Sequence, residues 1–189
     1  QGLAGVSFGD FLIKRVVTDL SHDLPNLKVF ATLSPIPGFL AWLKNAVAQR
    51  DPVLLKVDPG RSAGAGAGDA AGEPAGTGLL ALLADPEWPT RADLPAGLED
   101  TLMDLAAYYL LAVRRGDQAY DRVAHFHLSN GARVEQLNWL ADRSPNGLRQ
   151  SAGIMVNYRY NQREIEANHE RYRGEGKIAA SSAVRGRLP

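Results

Sequence analysis

The sequence predicts an α+β or α/β domain in which a few strands sit among several helices. Three observations point there. Hydrophobic residues make up 45% of a 189-residue chain, enough for one sizeable core. Apolar residues recur at helical spacing in two long stretches, near Phe11 to Leu20 and from Leu98 onward. Alternating β-branched and aromatic residues mark two short stretches, Leu27 to Thr32 and Ser151 to Tyr160.

The elements follow in chain order. Phe11, Leu12, Val16 and Leu20 make one stripe of a helix that opens near Asp10. Leu27 to Thr32 reads as a strand, and the two prolines of Ser34-Pro35-Ile36-Pro37-Gly38 are expected to stop it, because proline offers no backbone donor. A short helix with Phe39, Leu40, Trp42 and Leu43 follows. Residues 61–78 are nearly all Gly, Ala, Ser, Pro and acidic, which predicts a flexible surface loop, and Leu79 to Ala84 a short helix. Leu98 to Arg115 predicts a helix whose stripe is Leu102, Leu105, Ala106, Tyr109, Leu110 and Val113. Arg114 and Arg115 suit its C-terminal end, and Gly116 stops it. Val123 to Leu128 reads as a strand before an Asn130-Gly131 turn, Val134 to Leu140 as a short helix, and Ser151 to Tyr160 as a strand. The polar tail from Gln162 is expected to be helical in part. No internal repeat is visible.

Composition removes several function classes. Lys plus Arg and Asp plus Glu are both 21, so no global charge steers the chain to nucleic acid or an anionic membrane. With no cysteine, thiolate nucleophiles, disulfides and cysteine metal sites are excluded. The histidines show no metal-ligand spacing. No apolar run approaches the roughly 20 residues that span a bilayer, no signal peptide opens the chain, and Gly186-Arg187-Leu188-Pro189 is not a peroxisomal address. A cytoplasmic protein is expected. Because the first residue is Gln1 and not Met, a fragment or processed piece is also expected.

Four stretches carry a resemblance. They are Gly5-Val6-Ser7-Phe8-Gly9-Asp10-Phe11-Leu12-Ile13-Lys14, Leu33-Ser34-Pro35-Ile36-Pro37-Gly38-Phe39, Phe126-His127-Leu128-Ser129-Asn130-Gly131-Ala132 and Met155-Val156-Asn157-Tyr158-Arg159-Tyr160, with Asn138-Trp139-Leu140-Ala141-Asp142 as a fifth. In this order the set resembles the catalytic domain of malonyl-CoA decarboxylase, over nearly all of residues 1–189 except the Gly/Ala loop. The resemblance implies a GNAT-like, acyltransferase-type fold, with this chain its C-terminal part. It implies cleavage of malonyl-CoA to acetyl-CoA and carbon dioxide in fatty-acid or malonate metabolism. No metal, biotin or pyridoxal phosphate is implied, since CoA is part of the substrate. A homo-oligomer formed through an N-terminal helical domain absent from this chain is implied too.

Residue roles follow from chemistry and resemblance together. Decarboxylation leaves an enolate, so the site must bind CoA, orient a carboxylate, stabilise negative charge and deliver a proton. Ala4, Gly5, Val6, Ser7, Phe8, Gly9 and Asp10 would form the pyrophosphate loop, where glycines let backbone N–H groups approach phosphate. Some relatives carry Glu where Ser7 stands, so no role of that Glu transfers. Ser34 precedes a rigid turn, and its hydroxyl can donate to the malonyl carboxylate or thioester oxygen. The resemblance makes it the active-site serine, read as an orienting donor, since no Gly-x-Ser-x-Gly elbow is present. His127 titrates near neutrality in its ordinary state and is implied as the proton donor. Asn130 would position the histidine loop or meet substrate. Alternation places Tyr158 and Tyr160 on one face; the resemblance favours Tyr160 as the third catalytic residue. Asn157 and Arg159 would face the other side, toward CoA or solvent. Two other functions fit the same fold: acyl transfer to an amine or hydroxyl, and non-catalytic acyl-CoA binding.

Overall fold

In a computed structural model, the described residues are 8–24, 26–27, 29–57 and 75–189. Helix α1 spans Phe8–Asp23 and strand β1 Phe30–Pro35; α2 (Phe39–Ala48), α3 (Val53–Lys56), α4 (Thr77–Ala84) and α5 (Leu98–Leu111) follow. A two-residue hairpin, β2 (Arg114–Arg115) and β3 (Gln118–Ala119), leads into α6 (Arg122–Ser129). Then come β4 (Arg133–Asn138), α7 (Pro145–Ser151), β5 (Met155–Tyr160), α8 (Ile165–Glu175) and α9 (Ser182–Arg185). The class is α+β. Among the described residues no helix is long and apolar enough to cross a membrane.

A three-stranded antiparallel sheet, ordered β1-β5-β4, positions the site. Its central strand β5 buries Val156, Tyr158 and Tyr160 on one face, the expected alternation, although it begins at Met155 and not at Ser151. Ser151 instead ends α7, its hydroxyl donating to Ile154 O at 2.8 Å. Strand β1 runs through Ser34 and Pro35, past the point where prolines were expected to stop it. The reason is its place: β1 lies at an edge of the described sheet and pairs with β5 alone, so Pro35 is free of any obligation to donate outward.

Two expected identities are exchanged. Val123 to Leu128 forms a helix, not a strand. Asp121 caps it, its Oδ1 accepting from Val123 N (2.9 Å) and Ala124 N (3.0 Å). Its inward residues, Ala124, His127 and Leu128, fall at helical spacing. Asn130-Gly131 ends this helix and does not turn a hairpin: Gly131 N and Ala132 N return to Leu128 O and His127 O, and Gly131 has φ +81°. Conversely, Val134 to Leu140 is not a helix; β4 occupies it. A bulge at Glu135 places Val134 opposite Tyr158 and Leu137 opposite Val156, so two buried residues three apart share one strand face and imitate helical spacing. Ala179 to Ser181 lies along the outer edge of β4, with Val134 N donating to Ala179 O and Ser181 N to Val134 O, both at 2.9 Å.

The remaining differences concern ends. Helix α1 begins at Phe8, so Asp10 lies within its first turn. Most of the expected 61–78 loop lies outside the described residues, but Thr77 and Gly78 already belong to α4. Helix α5 ends at Leu111, and Arg114 and Arg115 lie in the hairpin that Gly116 turns at φ +59°. The core gathers around α5, whose Leu102, Leu105, Ala106, Tyr109 and Leu110 are at most 1% exposed; α2 packs against both α5 and α7. Tyr109 is ringed by aromatics, with ring centroids 5.9 Å from Phe39 and 5.4 Å from Trp42.

Candidate active site

Three segments distant in the chain converge beneath the sheet. Ser34 sits near the end of β1 on its buried face, opposite Val156 of β5. His127 comes from the last turn of α6, and Tyr160 from the end of β5. His127 Nε2 lies 3.1 Å from Ser34 Oγ, and Nδ1 lies 2.7 Å from Tyr160 Oη. Both ring nitrogens are thus engaged. The structure brings the Tyr160 hydroxyl to the imidazole, and not that of Tyr158. Tyr158 contributes differently: its ring stacks on the imidazole at 4.3 Å and 17°, while its buried hydroxyl has no hydrogen-bond partner. Phe126 meets the same imidazole edge-on at 5.2 Å.

Burial sets the electrostatics. Ser34, His127 and Tyr160 are 6%, 7% and 1% exposed. Desolvation lowers the His127 pKa from its ordinary 6.5 to about 4, so the imidazole is neutral at pH 7. The ordinary titration range expected for His127 therefore does not apply to the folded protein. A neutral imidazole has one N–H and one lone pair, and two polarities satisfy the two contacts: a proton on Nε2 with Tyr160 donating to Nδ1, or a proton on Nδ1 with Ser34 donating to Nε2. Burial also pushes the Tyr158 hydroxyl well above its usual range.

Several supporting residues were not singled out from sequence. Asp121 is 2% exposed; besides capping α6, its Oδ2 accepts from Tyr109 Oη at 3.2 Å. Burial foremost, then the Asp121 carboxylate, holds the Tyr109 hydroxyl protonated, with its pKa raised above the usual tyrosine range. A Cβ on Gly38 would lie 2.2 Å from Tyr109 Oη, so only glycine lets the turn after Ser34 approach this pair. The turn behind Ser34 and the helix bearing His127 are thereby tied through Tyr109. An Asp before an apolar stripe was the available signal for the cap. Thr32 was also missed: its Oγ1 lies 3.0 Å from Ser34 Oγ.

Other expected residues fall elsewhere. Ala4, Gly5, Val6 and Ser7 lie outside the described residues; Phe8, Gly9 and Asp10 form the first turn of α1. Asn130 is fully buried and its Nδ2 donates to Phe126 O at 2.7 Å. That suits positioning of the histidine helix, not contact with a ligand. Asn157 and Arg159 bond within the protein: Asn157 Nδ2 donates to Thr32 O at 2.9 Å, and Arg159 reaches Glu135 at 3.3 Å. His125 meets Tyr172 Oη at 2.8 Å and His169 meets Ser129 O at 2.5 Å. Among the described residues, no group of three or more His, Cys, Asp or Glu is arranged to hold a metal ion. A groove of about 680 Å³ beside α2 and α4 is lined by Leu40, Lys44, Trp88 and Arg143, and by none of Ser34, His127 and Tyr160. Volume alone does not mark the chemistry here.

The chain is similar to known proteins throughout its length. A family model described as malonyl-CoA decarboxylase C-terminal domain matches residues 1–189. Mitochondrial malonyl-CoA decarboxylases of Rattus norvegicus and Anser anser anser are 40% and 39% identical to it; each match covers 97% of this chain but only 38% and 37% of the relative. A crystal structure of malonyl-CoA decarboxylase from Rhodopseudomonas palustris superposes with a TM-score of 0.80 at 45% identity, covering 97% of this chain and 41% of that one. One from Cupriavidus metallidurans gives 0.77 at 42% identity, covering 98% and 45%. The chain therefore spans less than half the length of these relatives, and its α+β fold is theirs, in keeping with a GNAT-like architecture.

Proposed function

The chain belongs to the malonyl-CoA decarboxylase family, and from that premise we propose that it carries the site at which malonyl-CoA is converted to acetyl-CoA and carbon dioxide. The observation that carries this reading is the buried chain Ser34–His127–Tyr160, whose heavy-atom separations are 3.1 and 2.7 Å. The reaction breaks the bond between the malonyl carboxylate and the α-carbon. Its electron pair moves into the thioester as an enolate, and carbon dioxide leaves. A hydroxyl donor beside the thioester oxygen strengthens as that oxygen gains charge, which is the work read for Ser34. The α-carbon then takes a proton. Neutral imidazole is a weak acid, yet an enolate carbon is a far stronger base than imidazolate, so an Nε2–H of His127 can supply it. Tyr160 Oη, held at Nδ1, steadies the ring as charge develops, and one proton from solvent restores the site. A water-poor setting strengthens each of these contacts.

The CoA phosphates are assigned to the glycine-bearing stretch from Ala4 to Asp10, ahead of and within the start of α1. A cytoplasmic setting, and a homo-oligomer built through a helical domain outside this chain, complete the proposal; the longer relatives leave room for such a domain. Incubation of the protein with malonyl-CoA tests the function. Equal amounts of carbon dioxide and acetyl-CoA are expected. Free CoA with malonate would overturn the reading in favour of thioester hydrolysis, and CoA release that requires an added amine or hydroxyl acceptor would overturn it in favour of acyl transfer.

A further inference from the structure

Thr32 extends the chain of contacts by one member. Tyr160 is 1% exposed, His127 7% and Ser34 6%, whereas Thr32 is half-buried, so Thr32 is the most exposed member. Ser34 Oγ has two neighbours within hydrogen-bond distance, His127 Nε2 at 3.1 Å and Thr32 Oγ1 at 3.0 Å, but only one proton to donate. Its choice fixes the polarity of everything behind it. A Ser34 proton directed at Nε2 makes His127 a base and Ser34 an activated nucleophile. A Ser34 proton directed at Thr32 leaves Nε2 to carry its own hydrogen, with Nδ1 accepting from Tyr160.

The surroundings favour the second arrangement. The shorter contact to the imidazole is the one from Tyr160, at 2.7 Å, and a phenol is a better donor than an aliphatic hydroxyl. Thr32 is β-branched, so few rotamers are open to it on a strand. Its carbonyl oxygen accepts from Asn157 Nδ2 at 2.9 Å, and Asn157 Oδ1 accepts from Asn138 Nδ2 at 2.8 Å. These two asparagines come from two of the motifs that carry the family resemblance, and anchoring the Thr32 backbone gives them a purpose.

Resting on the decarboxylase reading, we propose that Thr32 is a positioning residue. By accepting a hydrogen bond from Ser34 in the resting site it leaves Nε2 to carry the His127 hydrogen; when substrate arrives, the Ser34 O–H turns from Thr32 to the thioester oxygen, so Ser34 meets substrate as a donor and not as a nucleophile. Thr32→Val removes the hydroxyl and keeps the branched shape at a half-buried strand position; Thr32→Ser keeps the hydroxyl. With malonyl-CoA, Thr32→Val is expected to lower kcat about tenfold with KM little changed, the size of one lost hydrogen bond in a buried network, and Thr32→Ser to recover most of the loss. Nitrogen-15 spectra of the His127 ring supply a readout that needs no turnover: the wild type is expected as the Nε2–H tautomer, and Thr32→Val to shift toward Nδ1–H. A wild-type kcat in Thr32→Val, a Thr32→Ser as slow as Thr32→Val, or a tautomer unchanged by Thr32→Val would each overturn the role. A wild-type protein that releases no carbon dioxide would instead remove the decarboxylase reading, and the tautomer comparison then decides the Thr32 role by itself.

Discussion

Desolvation is the dominant force on His127. The ring is 7% exposed, and burial takes its pKa from 6.5 to about 4. Between those values the unfolded chain binds a proton at this residue that the folded chain does not. The stabilising contribution of the neutral ring is therefore complete above about pH 6.5 and is lost as the pH falls toward 4; the shift corresponds to on the order of 3 kcal/mol. Urea unfolding followed at several pH values should show the wild-type midpoint falling across that window more steeply than that of His127→Gln, which cannot titrate. Equal slopes would show that the ring is not held neutral by burial. In the proposed reaction the same shift makes the proton donor near neutrality an imidazole N–H and not an imidazolium. The strand expected around His127 is a helix, and the ordinary titration range expected for the ring does not apply, because a pKa depends on the side chains packed around a ring and those come from other parts of the chain.

At the scale of elements, the site depends on two short pieces whose type was misread. Asp121 to Gly131 carries ordinary helix punctuation, an Asp cap in front and a glycine at positive φ behind. The Asn-Gly pair, a strong hairpin signal in other settings, masked it. In β4 the reverse happened, because the Glu135 bulge gave a strand the spacing of a helix. Segments with plain alternation or a long apolar stripe, β5 and α5, were legible without tertiary information. The two misread pieces needed knowledge of what they pack against. The link between elements is also testable. Gly38 approaches the Tyr109–Asp121 pair so closely that a methyl group there meets Tyr109 Oη at 2.2 Å. Gly38→Ala should push the turn behind Ser34 away from α6, destabilise the fold by about 1–3 kcal/mol and lower turnover together with thermal midpoint. A variant with an unchanged melting curve would show that the contact relaxes without cost.

For the whole molecule, the fold's task is to bring together groups far apart in the chain. Ser34 and His127 are 93 positions apart, and His127 and Tyr160 are 33 apart. The antiparallel pairing of β1 with β5 delivers Ser34 and Tyr160 from one sheet face, and α6, tied back through Asp121 and Tyr109, lays His127 between them. An ordered set of motifs made the members of this cluster legible in the sequence. The connecting hydrogen bonds, the Tyr158 stack and the Thr32 contact were not, since they depend on register and on helix orientation. In the proposed reaction this cluster performs the decarboxylation. The most direct test is the rate of carbon dioxide release from malonyl-CoA by the wild type and by His127→Asn, measured side by side at saturating substrate. With the proposed proton donor removed, kcat is expected to fall by roughly 10²–10⁴-fold with CoA affinity largely retained; an equal rate in the two proteins would remove His127 from that role.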